Sequence, residues 1–164
     1  MTLAIRLANA ADVHAMLALE RSSATAAHYS EEQYNQATRQ GLEPGAAGRP
    51  ASCGEGKNRL ALVVEEDSQV KGFLIGRVLG DEWEIENVVV AEGARKRGLG
   101  AALVGEFVKI AREEGGQMVY LEVRESNVAA RRLYEGRHFV RTGRRKTYYR
   151  DPEEDAILYA LRIR

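Results

Sequence analysis

The sequence predicts one α/β domain built on a mixed β-sheet, and three observations carry that prediction. Residues 85–123 read strand, helix, strand, a unit whose second strand returns parallel to the first by a right-handed crossover. Ahead of it, Arg59–Glu66 and 70–79 are β-type runs joined by the polar Asp67-Ser68-Gln69, which makes a hairpin. Behind it, 139–149 and 156–163 flank the turn Arg150-Asp151-Pro152 as a closing antiparallel pair. At 164 residues the chain fits a single domain over 1–164, long enough to bury a core.

Taken in order, Leu3–Leu7 alternates as an opening strand. Asn9 caps the next element, with Asp12 in its first turn and Val13, Met16, Leu17 and Glu20 at helical spacing. Ser30-Glu31-Glu32-Gln33 is a capping box, in which Ser30 and Gln33 satisfy each other's backbone donors, and Gly41 ends that helix. Residues 41–58 are rich in Gly and hold two of the three prolines, so they read as a long flexible loop, either a substrate-side lid or surface slack.

Glu82–Val90 is a third strand in which Trp83, Ile85, Val88 and Val90 are apolar. The step from Ile85 to Val88 breaks strict alternation near Glu86-Asn87, through either a β-bulge or a fully buried strand end. Over 98–114, Leu103, Phe107, Ile110 and Ala111 form one apolar helical stripe, widened by Val104 and Val108 and stopped by Gly115-Gly116. Residues 118–123 are a buried-type strand, and 127–135 a short helix capped by Ser126 or Asn127.

Composition excludes more than it selects. Hydrophobic residues at 45% and charged residues at 29% are ordinary for a globular chain. Lys+Arg and Asp+Glu balance at 24 each, so global charge points neither to nucleic acid nor to membrane. Two local clusters, Arg95-Lys96-Arg97 and Arg144-Arg145-Lys146, fit phosphate contacts or a solvated rim. No apolar run suits a signal peptide or a bilayer span. Cys53 is the only cysteine and the three histidines (14, 28 and 138) are scattered, so a cytoplasmic, metal-free protein is the expectation.

The most informative stretch is 88–104, VVVAEGARKRGLGAALV. A strand, a glycine turn and a helix start make an anion site, because unpaired N–H groups and the helix dipole point at the turn. Gly98-Leu99-Gly100-Ala101 lacks the Lys and hydroxyl of a nucleotide-hydrolysing loop, and position 103 is Leu where a dinucleotide fingerprint needs a third glycine. What remains is Arg95-x-x-Gly98-x-Gly100. Its glycines serve either a pyrophosphate approaching the main chain or close helix–strand packing. Downstream, Glu122 sits at the C-terminal end of a strand, where side chains of an open α/β sheet project into a crevice, and Tyr134 follows on the short helix. A carboxylate acceptor and a tyrosine donor suit acyl transfer to an amine, against the structural alternatives of Glu122 ion-paired with Arg124 and Tyr134 as a core ring.

The element order and Arg95-x-x-Gly98-x-Gly100 resemble the acyl-CoA site of the GNAT acetyltransferase superfamily. YLEVRESNVAARRLYEGRHF (120–139) and GRRKTYYRDPEEDAILYAL (143–161) resemble the narrower group of RimI-type protein N-terminal alanine acetyltransferases. The resemblance implies the GNAT fold, a central mixed sheet with a parallel strand pair flanked by helices. It implies acetyl-CoA as cosubstrate, held by backbone amides of Val88, Val89 and Val90 and by Arg95, Lys96, Arg97, Gly98, Leu99, Gly100 and Ala101, with Asn127 also contacting it. It places the general base on Glu122 and the general acid on Tyr134, and lines the acceptor groove with Tyr148 and Tyr149. The implied acceptor is a protein N-terminal amine, alanine-starting, of a small-subunit ribosomal protein. The alternatives are transfer to a small amine or a lysine side chain, or a non-catalytic acyl-CoA binder. Where that group carries Pro-Trp-Ser, this sequence has His28-Tyr29-Ser30, and where it carries a glycine before Phe139, this sequence has His138, with Gly136 near enough to take the turn.

Overall fold

The structure, a computed structural model, describes residues 2–23, 28–39 and 59–164. The glycine-rich 41–58 stretch and Cys53 lie outside the described residues. Strands β1 (Leu3–Leu7), β2 (Arg59–Glu66), β3 (Gln69–Leu79), β4 (Glu82–Val90), β5 (Met118–Arg124), β6 (Val140–Tyr149) and β7 (Glu154–Arg162) form one sheet in the order β1-β2-β3-β4-β5-β7-β6. Every neighbouring pair is antiparallel except β4 and β5, which are parallel and joined through helix α3 (Leu99–Glu113). Helices α1 (Val13–Arg21) and α2 (Glu31–Arg39) precede β2, and α4 (Val128–Gly136) follows β5. Among the described residues no helix is long and apolar enough to cross a membrane.

Local chemistry accounts for the element boundaries. Asn9 Oδ1 accepts from Ala11 N at 2.9 Å, and Asp12 accepts from Asn9 N at 2.8 Å. The same Asp12 carboxylate takes both terminal nitrogens of Arg6 at 2.8 and 2.9 Å, so one buried side chain ties β1 to the start of α1. At α2, Ser30 and Gln33 exchange their hydrogen bonds at 2.8 and 3.2 Å. Asp67 and Ser68 both adopt positive φ (48° and 64°), the pair of left-handed residues that turns a tight hairpin with the twist of its strands.

The sheet is covered on both faces. Leu60, Leu62 and Val64 of β2 pack toward α3, whereas Ala61 and Val63 pack with Met16 and Tyr34 toward α1 and α2. That two-sided burial explains why β2 reads as an unbroken apolar run. Phe107 of α3 lies directly over Gly76, where an added Cβ would fall 2.1 Å from its Cε2. Helix and sheet meet there because β3 has no side chain in the way.

The broken alternation in β4 is a β-bulge. Ile75 pairs with Asn87 but Gly76 pairs with Ile85, leaving Glu86 as the extra residue. One inserted residue exchanges the two faces of the strand beyond it. Trp83 and Ile85 join the core under α3, and past the bulge Val88 and Val90 pack against that core while Val89 joins the opposite one.

Candidate active site

The parallel pairing of β4 with β5 stops early. Residues Glu82 to Ile85 match Met118 to Leu121, after which β5 continues against β7 and the rest of β4 pairs with β3 alone. The two strands therefore splay at their C-terminal ends, and the gap holds a cavity of about 310 Å³. It is lined by Ile85, Glu86, Asn87 and Val88 from β4, Glu122, Val123 and Arg124 from β5, Ala130 and Tyr134 from α4 with its N-cap Asn127, and by Tyr149 and His28. Of the residues singled out from sequence, Val88, Glu122, Asn127, Tyr134 and Tyr149 thus share one site.

The β4 edge facing the gap supplies main-chain groups, though only alternate ones. Ala91 N donates to Lys71 O of β3 at 2.8 Å, and Val89 O lies against Gly72 of the same strand. Successive residues of a strand point their main-chain groups to opposite edges. Val88 and Val90 therefore present their amides to the gap, whereas the Val89 amide is turned into the sheet. The expectation that all three amides face a cosubstrate is corrected for Val89.

The glycine turn lies beside this edge at the start of α3. Gly98 is the N-cap in a left-handed conformation (φ 77°, ψ 9°), with open space where a Cβ would be. It offers no capping side chain, and the first closed helical bond is Ala102 N to Gly98 O at 2.9 Å. The amides of Leu99, Gly100 and Ala101 are thus left without intrahelical partners. Gly100 has a different role from Gly98: it is buried, and a Cβ there would meet Leu133 Cδ1 of α4 at 2.8 Å. Its absent side chain admits the neighbouring helix, a helix–helix version of the packing alternative.

The basic side chains of the turn are partly committed. Arg97 forms an ion pair with Glu66 at the end of β2, and Arg95 Nε donates to Val90 O at 3.1 Å. Both contacts hold the turn's shape, while Lys96 takes a positive φ of 60° and stays exposed. Arg97 is therefore a tether of the loop to the sheet.

Glu122 and Tyr134 approach the cavity from opposite faces. Leu121 and Val123 point into the core under α3, so Glu122 between them points to the other face, where 20% of its side chain is exposed. Its ion-pair partner is Arg145 of β6, Nε to Oε1 at 3.0 Å, in place of Arg124. Arg124 instead reaches Glu154 at 3.4 Å and Pro152 O at 3.1 Å, with its guanidinium 4.4 Å from the Tyr149 ring centroid. Tyr134 is buried on α4, its ring edge-on to Phe139 at 5.7 Å and tilted against Tyr159 at 6.4 Å. Burial raises its pKa above the ordinary 10.0, so the phenol keeps its proton at neutral pH.

Asn127 caps α4, accepting from Ala130 N at 3.2 Å, and also lines the cavity. Tyr148 and Tyr149 stand edge to face at 5.1 Å at the end of β6, Tyr148 exposed and Tyr149 half-buried in the cavity wall. Burial, with the Glu122 charge second, pushes Tyr149 up to about 12. The chain leaves α4 through His138 at φ 69°, with Phe139 N bonded back to Tyr134 O at 3.0 Å. Gly136 is still helical, so the left-handed step falls on histidine, contrary to the expectation that Gly136 takes the turn.

Sequence reasoning misses Glu86 at this site, and it places His28 and Arg145 only by their segments, without the partners they meet. Glu86 accepts from Arg59 Nε at 2.9 Å, but its placement depends on the bulge, of which the broken alternation was the one available sign. Arg145 sits in a cluster that fits either phosphate or solvent, and its carboxylate partner is 23 positions away. Among the described residues no group of three or more His, Cys, Asp or Glu side chains is arranged to hold a metal ion.

A mixed sheet splayed between its parallel strands, with a glycine-capped helix start beside the gap, frames a cleft that can take an anionic cosubstrate. Residues 13–139 match the model of the Acetyltransferase (GNAT) family, and the chain belongs to that family. Among curated relatives, the [ribosomal protein bS18]-alanine N-acetyltransferase of Escherichia coli K12 is 34% identical over 111 residues, covering 66% of this chain and 75% of that protein. The N-alpha-acetyltransferase RimI of Mycobacterium tuberculosis is 40% identical over 88 residues, covering 54% of this chain and 52% of its own. The crystal structure of the ribosomal-protein-S18-alanine N-acetyltransferase from E. coli superposes with a TM-score of 0.78 at 27% identity, covering 99% of this chain and 94% of that one. Arabidopsis thaliana NAA60, solved with acetyl-CoA, shares the fold at a TM-score of 0.79 and 20% identity, covering 99% of each chain.

Proposed function

We propose that this chain transfers the acetyl group of acetyl-CoA to the N-terminal α-amine of a protein that begins with alanine, with a small-subunit ribosomal protein as acceptor. The observation that carries the reading is that a carboxylate, Glu122, and a protonated phenol, Tyr134, enter one shared cavity from opposite faces of a splayed sheet. The names of the relatives from E. coli and M. tuberculosis support the class of acceptor.

In this reading the pyrophosphate of the cosubstrate lies at the start of α3, on the amides of Leu99, Gly100 and Ala101, with Lys96, which pairs with no carboxylate among the described residues, as its cation and Arg95 and Arg97 shaping the turn. The pantetheine arm runs along the open edge of β4, where Val88 and Val90 offer amides and Asn127 faces them across the gap. An α-ammonium has an ordinary pKa of about 7.7–8.0, within reach of a carboxylate acting directly or through one water. Glu122 takes one proton from it, and the free amine attacks the thioester carbon. The new C–N bond forms, the tetrahedral intermediate collapses with loss of the C–S bond, and Tyr134 gives its proton to the departing thiolate. The nitrogen's second proton replaces the one Tyr134 gave. The sum is ammonium plus thioester giving amide, thiol and one proton, which Glu122 releases to solvent. Tyr148 and Tyr149 line the entry of the acceptor.

The test is thiol release from acetyl-CoA by the purified protein over a panel of peptides varied at the first residue, with polyamines and a lysine-bearing, N-blocked peptide alongside. Transfer to the alanine-starting peptide at its α-amine is expected. Preference for the free amines or for lysine would replace the acceptor class, and thiol release with none of them would leave an acyl-CoA binder.

A further inference from the structure

We propose that Arg145 is a displaceable stand-in for the acceptor's ammonium, holding the Glu122 carboxylate until the substrate arrives and reclaiming it once the amine has become an amide. The inference rests on the functional reading above, and it concerns how that site admits substrate and releases product.

The observation is how β6 reaches Glu122. Between Arg145, which pairs with Ala156, and Tyr149, which pairs with Glu154, β6 advances four residues while β7 advances two. Residues three apart in a regular strand point to opposite faces. Here the strand is irregular, with Thr147 in the left-handed region at φ 53°, and Arg145 and Tyr148 lie on one side, guanidinium against ring. Both then meet the same carboxylate: Arg145 at 3.0 Å, and Tyr148 as a hydrogen-bonding phenol whose pKa the Glu122 contact raises. The bulge itself is pinned by Asp155, which accepts from Thr147 N at 2.8 Å and from Arg144 at 3.1 Å.

Within that frame Arg145 is loosely held. Among the described residues Glu122 is its one charged partner, and the side chain is 56% exposed, with its guanidinium 5.4 Å from the Tyr148 ring centroid. Its neighbours are tied down differently. Arg144 spans Glu125 and Asp155, and Arg124 spans Glu154 and two main-chain carbonyls. A half-exposed pair with a single contact exchanges readily for another cation, and the Tyr148 face gives the released guanidinium a place to rest. The incoming ammonium supplies the replacing charge. Acetylation removes that charge, so the product amide has nothing with which to keep Arg145 away.

The experiment measures binding of two alanine-starting peptides, one free and one already N-acetylated, to the protein saturated with coenzyme A, by calorimetry at low salt. Arg145→Gln is expected to tighten the free peptide about two- to fivefold, the range of an exposed ion pair, and to leave the acetylated peptide unchanged. Arg145→Lys, which keeps the competing charge, is expected to behave as wild type. In steady state the Gln variant lowers the peptide KM without lowering that for acetyl-CoA. An equal change for both peptides, or weaker binding of the free peptide to Arg145→Gln, overturns the proposal. Transfer assays on the wild-type protein separate the two failures: no acetylation of any alanine-starting peptide sinks the functional reading and this proposal with it, whereas normal transfer with no discrimination sinks this proposal alone.

Discussion

Tyr134→Phe isolates one oxygen atom. The ring makes the packing contacts, edge-on to Phe139 at 5.7 Å and against Tyr159 at 6.4 Å, and phenylalanine reproduces them. Among the described residues the Tyr134 hydroxyl has no hydrogen-bond partner, so its loss is expected to cost less than about 1 kcal/mol of stability, the net value of an ordinary hydrogen bond. The chemical effect is larger. A positioned general acid contributes about 10²–10⁴-fold, or roughly 2.7–5.4 kcal/mol of barrier at about 1.36 kcal/mol per decade. The expected outcome is therefore a kcat reduced about a hundredfold or more, with acetyl-CoA affinity by calorimetry and the melting temperature nearly unchanged. Thiol release at saturating peptide and acetyl-CoA measures it. A kcat within threefold of wild type, in a variant that melts normally, would refute the donor role and leave Tyr134 a core ring.

Other expectations follow from packing and titration. Gly76→Ala places a methyl group 2.1 Å from the buried Phe107 ring and 3.0 Å from Glu84 O, and should cost about 3 kcal/mol in denaturant unfolding, the upper end for overpacking. Gly100→Ala crowds the terminal methyl of Leu133, touches Val90 Cγ2 at an ordinary 3.7 Å and gains helix propensity, so its unfolding free energy should stay within about 1 kcal/mol of wild type. His138→Gly relieves a left-handed step and should raise stability by about 0.5–1 kcal/mol, read as a higher melting temperature. The hydrogen bond from Arg6 lowers the Asp12 pKa below its ordinary 3.8, so its contribution is present above that value and lost as pH falls through the folded-state pKa. Asp12→Ala should flatten that acid limb and cost about 1–3 kcal/mol at neutral pH. At the alkaline end, burial raises Tyr29, Tyr34, Tyr134 and Tyr149 above 10.0. Raised folded-state values mean stability that is full below about pH 10 and falls as pH rises through them, measurable as tyrosinate absorbance coincident with unfolding.

How much was legible in the sequence depended on how local the physics is. The cap at Asn9, the capping box at Ser30, the tight turn at Asp67-Ser68, the stripe of α3 and the start of β5 all come from residues within one or two turns of each other. The bulge at Glu86 was half legible: its broken alternation was visible, but choosing between a bulge and a buried strand end required the pairing of Ile75 with Asn87. The turn glycines were legible as necessary and ambiguous as to purpose. Gly98 is needed for its left-handed backbone, whereas at Gly100 the terminal methyl of Leu133, 33 positions on, takes the space of a side chain that a small shift of Leu133 would free. Arg145 illustrates the limit. The irregular stretch of β6 around the left-handed Thr147 sets it beside Tyr148, and no periodicity in GRRKTYY announces which carboxylate it meets.

By itself the sequence determined the element order, the parallel unit around α3 and the helix start where an anion is welcome, because hydrogen-bond periodicity and capping are settled by near neighbours. Tertiary structure alone decided that β4 and β5 part after four paired residues, that Val88 and Val90 rather than Val89 face the gap, and that Glu122 meets Arg145 rather than Arg124. Those outcomes depend on strand register and on which sheet edge each residue turns outward. Register is set by distant segments pairing across the sheet, and a one-residue bulge is enough to exchange the faces of everything beyond it.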